Sequence, residues 1–170
     1  MATLYIMRGV PGVGKSTFIK DMLWDAHVVS RDAIRFSMLQ EGEKYFAHEK
    51  AVTAQFYAEI HDCLEDGEDV VADATHIGFG ALRRTLQSTL GVKNVEVIVV
   101  NFEYEDMLEI CLRHNAQRSG RALLKDDVIQ EQYTRWQQTP PLQDMLDKLE
   151  VEFPQLGHIS IWHIVEENEK

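Results

Sequence analysis

Nine residues near the amino terminus, Gly9-Val10-Pro11-Gly12-Val13-Gly14-Lys15-Ser16-Thr17, spell G-x-x-x-x-G-K-S, a pattern suited to holding a chain of phosphates. Gly9, Gly12 and Gly14 allow a tight turn and close backbone approach, so that successive N–H groups, those of Val13 and Thr17 among them, can point at an anion. The helix that follows adds the positive end of its dipole. Lys15 supplies a mobile positive charge for β- and γ-phosphates, and the Ser16 hydroxyl can join the shell of a Mg²⁺ ion. Glycine-rich turns between a strand and a helix also occur without a ligand. The Lys-Ser pair, with an apolar run (Leu4 to Met7) before it and a helical run (Phe18 to Trp24) after it, favours the nucleotide-binding reading.

Three further sets of residues carry chemistry. Asp32 and Arg35 stand three apart at the start of a predicted helix and so share a face. Phosphoryl transfer to a hydroxyl needs a carboxylate to orient the acceptor and take its proton, and an arginine can hold an anionic acceptor. An aspartate with a pKa near 3.9 would accept that proton only late, as the P–O bond forms. The same pair could instead be an aspartate favouring a helix N-terminus and an arginine on the surface. Asp73 ends an apolar strand, where a carboxylate can position Mg²⁺ or another catalytic side chain, or cap the loop that continues through Thr75 and His76. Arg118 and Arg121 sit in a break between helices, suited either to a lid over a triphosphate or to a solvated basic turn. His76 could touch substrate or solvent; a lone histidine is seldom a ligand.

The elements that must position these groups alternate. Strands are predicted at Thr3 to Arg8, Ala26 to Ser30, Val70 to Thr75, Val95 to Phe102 and Ile159 to Val165. Between them lie helical patterns: one opening at Arg31 with Ser30 as its cap, then Glu43 to Glu65 with Phe46, Val52, Phe56 and Ile60 as the inner stripe, Phe79 to Leu90, Glu105 to Arg118, Asp126 to Gln138 and Leu142 to Leu149. This order predicts an α/β fold with a parallel five-stranded sheet covered on both faces and a short arginine-bearing lid at about 118–126. Right-handed crossovers place every strand's carboxyl end on one rim, where ligands bind. The phosphate loop, Ser30 to Arg35, and Asp73 to His76 should meet there. Tyr133, Trp136 and Trp162 read as core or partly buried aromatics rather than base-stacking platforms.

With 170 residues, the chain is expected to form one domain, with an acidic tail at about 166–170. No signal-peptide layout or membrane-length apolar run is evident, which fits a cytoplasmic protein with no membrane and no stable protein partner. Cys63 and Cys111 lie on helical patterns without a partner motif and read as buried thiols. The formal net charge of −11 argues against holding nucleic acid through a broadly basic surface. Any polyanionic partner must be met by a local cluster of cations.

Arg8 to Thr17, then Ser30-Arg31-Asp32-Ala33-Ile34-Arg35, then Val70 to Thr75, then an arginine-bearing lid resembles, in that order, the kinase domain of polynucleotide 5′-hydroxyl kinases, over Leu4 to about Tyr133. The resemblance implies that Lys15 and Ser16 hold ATP and Mg²⁺, that Asp32 is the general base, and that Arg35 binds the phosphate next to the acceptor's 5′-hydroxyl. It further implies that Asp73 supports the acceptor side and that Arg118 clamps the donor phosphates, with Arg121 a second lid candidate. The chain departs from the family in carrying His76 where asparagine is common and Leu124 at the lid's usual proline position. No D-x-D-G-T phosphatase segment occurs, so end repair with both activities in one chain is not expected.

The expected activity is therefore transfer of the ATP γ-phosphate to a 5′-hydroxyl end of DNA or RNA. An alternative keeps the kinase and changes the acceptor to a small metabolite, a nucleotide sugar or a hydroxymethylated base. A nucleotide-dependent switch or ATPase is a third possibility; the N-K-x-D segment a GTPase needs is absent.

Overall fold

A computed structural model of the chain describes residues 1–165. Five strands, β1 (Ala2–Arg8), β2 (His27–Ser30), β3 (Val70–Asp73), β4 (Val95–Phe102) and β5 (Ser160–Ile164), form one sheet in the order β2-β3-β1-β4-β5. All four pairings are parallel. Seven helices connect them: α1 (Lys15–Met22), α2 (Arg31–Met38), α3 (Glu49–Glu65), α4 (Phe79–Gln87), α5 (Met107–Ala116), α6 (Asp126–Gln137) and α7 (Leu142–Glu152). The expected acidic tail lies outside the described residues.

The strands are apolar without alternation because both faces of the sheet are covered. In β1, Leu4 and Ile6 pack with α3, α4 and α7 residues such as Phe56, Ile60, Leu82 and Leu146, while Met7 joins Phe18, Phe102, Met107 and Ile129 from the opposite layer. β4 divides the same way, Val97 and Val99 to one side and Ile98 and Val100 to the other. Each such fully buried side chain contributes about 1.5–3 kcal/mol. β2 and β5 lie at the sheet's edges and are more exposed. Cys63 and Cys111 are buried free thiols, and burial pushes Cys111 up to a pKa of about 11. Among the described residues no helix is long and apolar enough to cross a membrane.

Two element boundaries differ from the sequence reading in ways that matter. The helix predicted over 43–65 begins only at Glu49. Gly42 at φ +81° turns the chain, and short-range bonds from Glu43 N–H to the Gln40 carbonyl and Ala47 N–H to the Lys44 carbonyl hold residues 43–47 as turns. Phe46 is consequently no core residue: it is 67% exposed. The third strand, predicted to reach Thr75, stops at Asp73, after which the Thr75 carbonyl accepts the Gly9 N–H at 3.0 Å.

His76 takes φ +45° and turns its ring inward, leaving 2% of the residue exposed. Its Nδ1 donates to the Met7 carbonyl at 2.7 Å, which leaves Nε2 to accept the Thr85 hydroxyl at 2.7 Å. The expectation that His76 might touch a substrate is corrected: the ring is a neutral buried post joining β1 to α4. Burial lowers its pKa to about 4, with the Met7 bond opposing. As pH falls, the unfolded chain takes the proton first, near 6.5. His76 therefore contributes stability that is complete above about pH 6.5 and is lost toward pH 4, roughly 3 kcal/mol in all. Urea unfolding at pH 7, 5.5 and 4.5 should show that loss in the parent chain, and a correspondingly flatter profile in His76→Asn.

Candidate active site

The carboxyl ends of the five strands open onto one crevice of about 1350 Å³. Its floor is the phosphate loop. Gly14, at φ +112°, caps α1 without a side-chain hydrogen bond, and the first turn of α1 carries no acidic residue. The amino end of that helix is thus left for an external anion. Gly12, Val13, Gly14, Lys15, Ser16 and Thr17 all line the crevice. Gly9, expected among them, does not: it lies underneath, where an added Cβ would stand 2.7 Å from Val13 Cγ1, so its smallness serves packing.

Lys15 is half-buried. Nζ donates to the carbonyls of Gly9 at 2.7 Å and Val10 at 3.2 Å. Burial of the charge lowers its pKa to about 8 against the pull of the Asp73 carboxylate. Asp73 also lines the crevice and accepts no hydrogen bond from the described residues. Burial raises its carboxyl above the usual range, Lys15 opposing and Asp32 adding to the rise. Two hard oxygen donors without full partners, Ser16 Oγ and the Asp73 carboxylate, suit a Mg²⁺ ion, which takes few protein ligands and completes its shell with water and phosphate.

Asp32 stands across the crevice at the amino end of α2, where the Ser30 hydroxyl accepts the Ala33 N–H at 3.1 Å and fixes the helix start. The Asp32 side chain is 63% exposed. Its Oδ1 accepts bonds from Arg35 Nη1 and, at 2.8 Å, from the Tyr45 hydroxyl. Its Oδ2 accepts none from the described residues. Arg35 is the opposite of a surface residue, only 5% exposed. Besides Asp32 it donates to Tyr45 at 2.8 Å and to both oxygens of Glu49 at 3.0 and 2.6 Å, with its guanidinium 4.5 Å from the Tyr45 ring centroid. Burial works against its charge, but the Glu49 bonds with Tyr45 and Asp32 more than offset it, and its pKa is raised. Arg31 ties Glu49 at 2.8 Å to Thr53 at 2.6 Å. Burial, then Asp32, pushes the Tyr45 phenol up to about 12, so it remains a donor.

The lid follows α5. Asn115, 1% exposed, donates to the Leu124 carbonyl at 2.7 Å and accepts the Leu124 N–H at 3.0 Å, pinching the intervening loop closed. Arg118 and Arg121 both line the crevice, and the charge of Arg118 is close enough to oppose that of Lys15. Arg121 donates to the Phe36 carbonyl at 3.1 Å, tying the lid to α2.

The crevice therefore unites Gly12 to Thr17, Asp32, Arg35, Asp73, Thr75, Arg118 and Arg121, and leaves out Gly9 and His76. Sequence reasoning missed Tyr45 and Glu49, which had been assigned to a helix, and missed the grip on the loop by α5 and the segment before it. There, Tyr104 donates to the Val13 carbonyl at 3.0 Å and His114 Nδ1 to the Gly12 carbonyl at 2.6 Å. It also missed Arg8, a buried cation whose guanidinium bonds the Ile77 carbonyl at 2.8 Å and Asn101 at 2.8 Å beneath the loop. Only its place directly before Gly9 could have drawn notice.

Comparison with known proteins places the fold. The AAA_33 family, described as an AAA domain, matches residues 4–140, from β1 through α6. Among solved structures, the fold is similar to a chain of the Pnkp1/Rnl/Hen1 RNA repair complex, with TM-score 0.64 and 22% identity over 81% of this chain and 45% of that one. It is also similar to a chain of AvrRxo1-ORF1:AvrRxo1-ORF2 with ATP, with TM-score 0.60 and 18% identity over 99% and 56%. A gluconokinase from Sinorhizobium meliloti 1021 follows, with TM-score 0.54 and 12% identity over 97% and 84%. This chain thus spans about half the length of the first two. At such identities the likeness establishes a shared fold. The chain belongs to the AAA_33 family, and its fold is that of a P-loop kinase.

Proposed function

We propose that the chain is an ATP- and Mg²⁺-dependent kinase that transfers the γ-phosphate to the 5′-hydroxyl of a DNA or RNA end. The observation that carries the reading is the facing pair across one crevice: the phosphate loop with Lys15 on one side, and on the other a carboxylate, Asp32, with one oxygen braced and one open. A nucleotide switch has no use for such a braced carboxylate opposite the phosphate loop.

In this reading the loop N–H groups, the amino end of α1 and Lys15 hold the triphosphate. Ser16 and Asp73 would hold Mg²⁺, which neutralises phosphate charge when bound. The acceptor hydroxyl donates to Asp32 Oδ2. Its oxygen attacks the γ-phosphorus, the bond from that phosphorus to the β–γ bridging oxygen breaks, ADP leaves, and the proton passes to Asp32 as the new P–O bond forms. Arg118 and Arg121 place positive charge where negative charge develops. Thr75 lies beside the acceptor. Arg35 would meet the acceptor's phosphate only with the donor capacity that Asp32, Tyr45 and Glu49 leave it, so its bracing of Asp32 is the larger part of its role.

A kinase of a small acceptor is a second reading, favoured by the net charge of −11. Transfer of labelled γ-phosphate to a 5′-OH oligonucleotide and to a nucleoside 3′-phosphate, compared with gluconate and other sugars, separates the two. Labelling of the nucleic acid ends is expected; labelling of sugars alone overturns the 5′-kinase reading.

Asp32→Asn should lower kcat on the order of 10²- to 10⁴-fold with ATP affinity nearly unchanged, measured by label transfer and calorimetry. Unchanged kcat would remove the base assignment. Lys15 generates a pH prediction. In the free chain its ammonium deprotonates near pH 8, whereas a bound triphosphate raises that value, so the complex holds the proton the free chain has lost. ATP affinity should be flat below pH 8 and fall by up to about tenfold per pH unit above it. Titration calorimetry from pH 7 to 9.5 checks this, and Lys15→Met should bind weakly without that slope.

A further inference from the structure

The segment that the sequence assigned to a helix, residues 43–47, places two aromatic rings beside one from α2 at the mouth of the crevice on the Asp32 side. Phe36, Tyr45 and Phe46 all line it. The Tyr45 ring meets Phe36 edge to face at 6.1 Å and Phe46 edge to face at 4.7 Å. Phe46 is the outermost, 67% exposed, with the buried Arg35 guanidinium 5.5 Å from its centroid on the inward side. Leaving a phenylalanine ring in water forgoes the favourable burial of its apolar surface. Isolated exposed apolar residues are ordinary, and Trp24 and Val151 are examples away from the crevice. Phe46 differs because the same short segment fixes it to the reacting end: Tyr45 bonds Asp32 at 2.8 Å, and the next residue is the exposed ring.

We infer that Phe46 is the stacking platform for the base of the acceptor's 5′-terminal nucleotide. This rests on the 5′-kinase reading and deepens it. Tyr45 links the carboxylate to the platform, its hydroxyl bonding Asp32 at 2.8 Å and its ring meeting Phe46 at 4.7 Å. A chain with a net charge of −11 gains little by attracting phosphates over its surface, and stacking supplies affinity that needs no basic field. Every base presents a flat face, so the platform accepts all four bases and discriminates against an end that lacks one.

The test measures kinetics of Phe46→Ala and Phe46→Trp with two acceptors: a 5′-OH oligonucleotide, and the same oligonucleotide with an abasic 5′-terminal residue. Phe46→Ala should raise KM for the base-bearing acceptor roughly 10- to 100-fold, as loss of one base–aromatic stack does. KM for ATP, kcat at saturating acceptor and the melting temperature should hold. With the abasic acceptor, parent and Phe46→Ala should have the same KM, and Phe46→Trp should restore the parent value for the intact end. An equal rise for both acceptors, or no rise for either, overturns the platform while leaving the 5′-kinase reading in place. A parent chain that phosphorylates sugars and no nucleic acid end overturns both.

Discussion

The contact on which the site depends is the seam between the phosphate loop and α5. At Gly12 the backbone adopts φ +91° and lies so close to α5 that a Cβ would stand 2.6 Å from the Cys111 carbonyl oxygen. No side chain fits between them. His114 and Tyr104 clasp the Gly12 and Val13 carbonyls, so the loop is held by its carbonyl side, and the Val13 N–H turns back to the Val10 carbonyl at 3.2 Å. Because α5 also carries Asn115 and the start of the lid, this seam sets the distance between the loop and Arg118. The phosphate loop and the segment after α5 form one mechanical unit.

Opposite it stands a second unit with different physics. Arg35, Glu49, Tyr45 and Arg31 form a partly buried ionic network in which each charge has a partner; burying the guanidinium is tolerable only on those terms. Its product is a carboxylate oriented through one oxygen and open at the other. The two units are joined through the sheet and through Arg121, whose bond to the Phe36 carbonyl ties the segment after α5 to α2. Movement of the segment after α5 therefore bears on the Asp32 side of the crevice as well as on the phosphate-loop side.

The electrostatics are local. The chain is acidic overall, yet Lys15, Arg31, Arg35, Arg113, Arg118, Arg121 and Arg135 converge on one crevice. Screening confines exposed charges to about 8–10 Å, so a cluster of this kind can hold a triphosphate within an acidic protein. Burial tunes individual members: it depresses Lys15 and raises Asp73, and an anionic ligand with its cation would relieve both.

By itself the sequence determined what local pattern and elementary sterics dictate. The loop at Gly9 to Thr17, the apolar strands and the parallel α/β architecture were legible because glycine spacing, the Lys-Ser pair and strand–helix alternation are short-range signals. The meeting of Asp32, Asp73 and the loop followed from the shared rim of a parallel sheet. Contacts between residues distant in the chain, or turned by a single dihedral, were decided by the tertiary structure. Nothing local says that residues 43–47 would be held as turns that put Tyr45 on Asp32, or that Glu49 would occupy Arg35. The inward turn of His76 depends on a carbonyl 69 residues away, and the packing role of Gly9 depends on Phe102 and on a loop valine that only the folded turn brings against it. Which groups face the crevice and which support it from behind is a property of packing, and packing joins residues that the chain keeps apart.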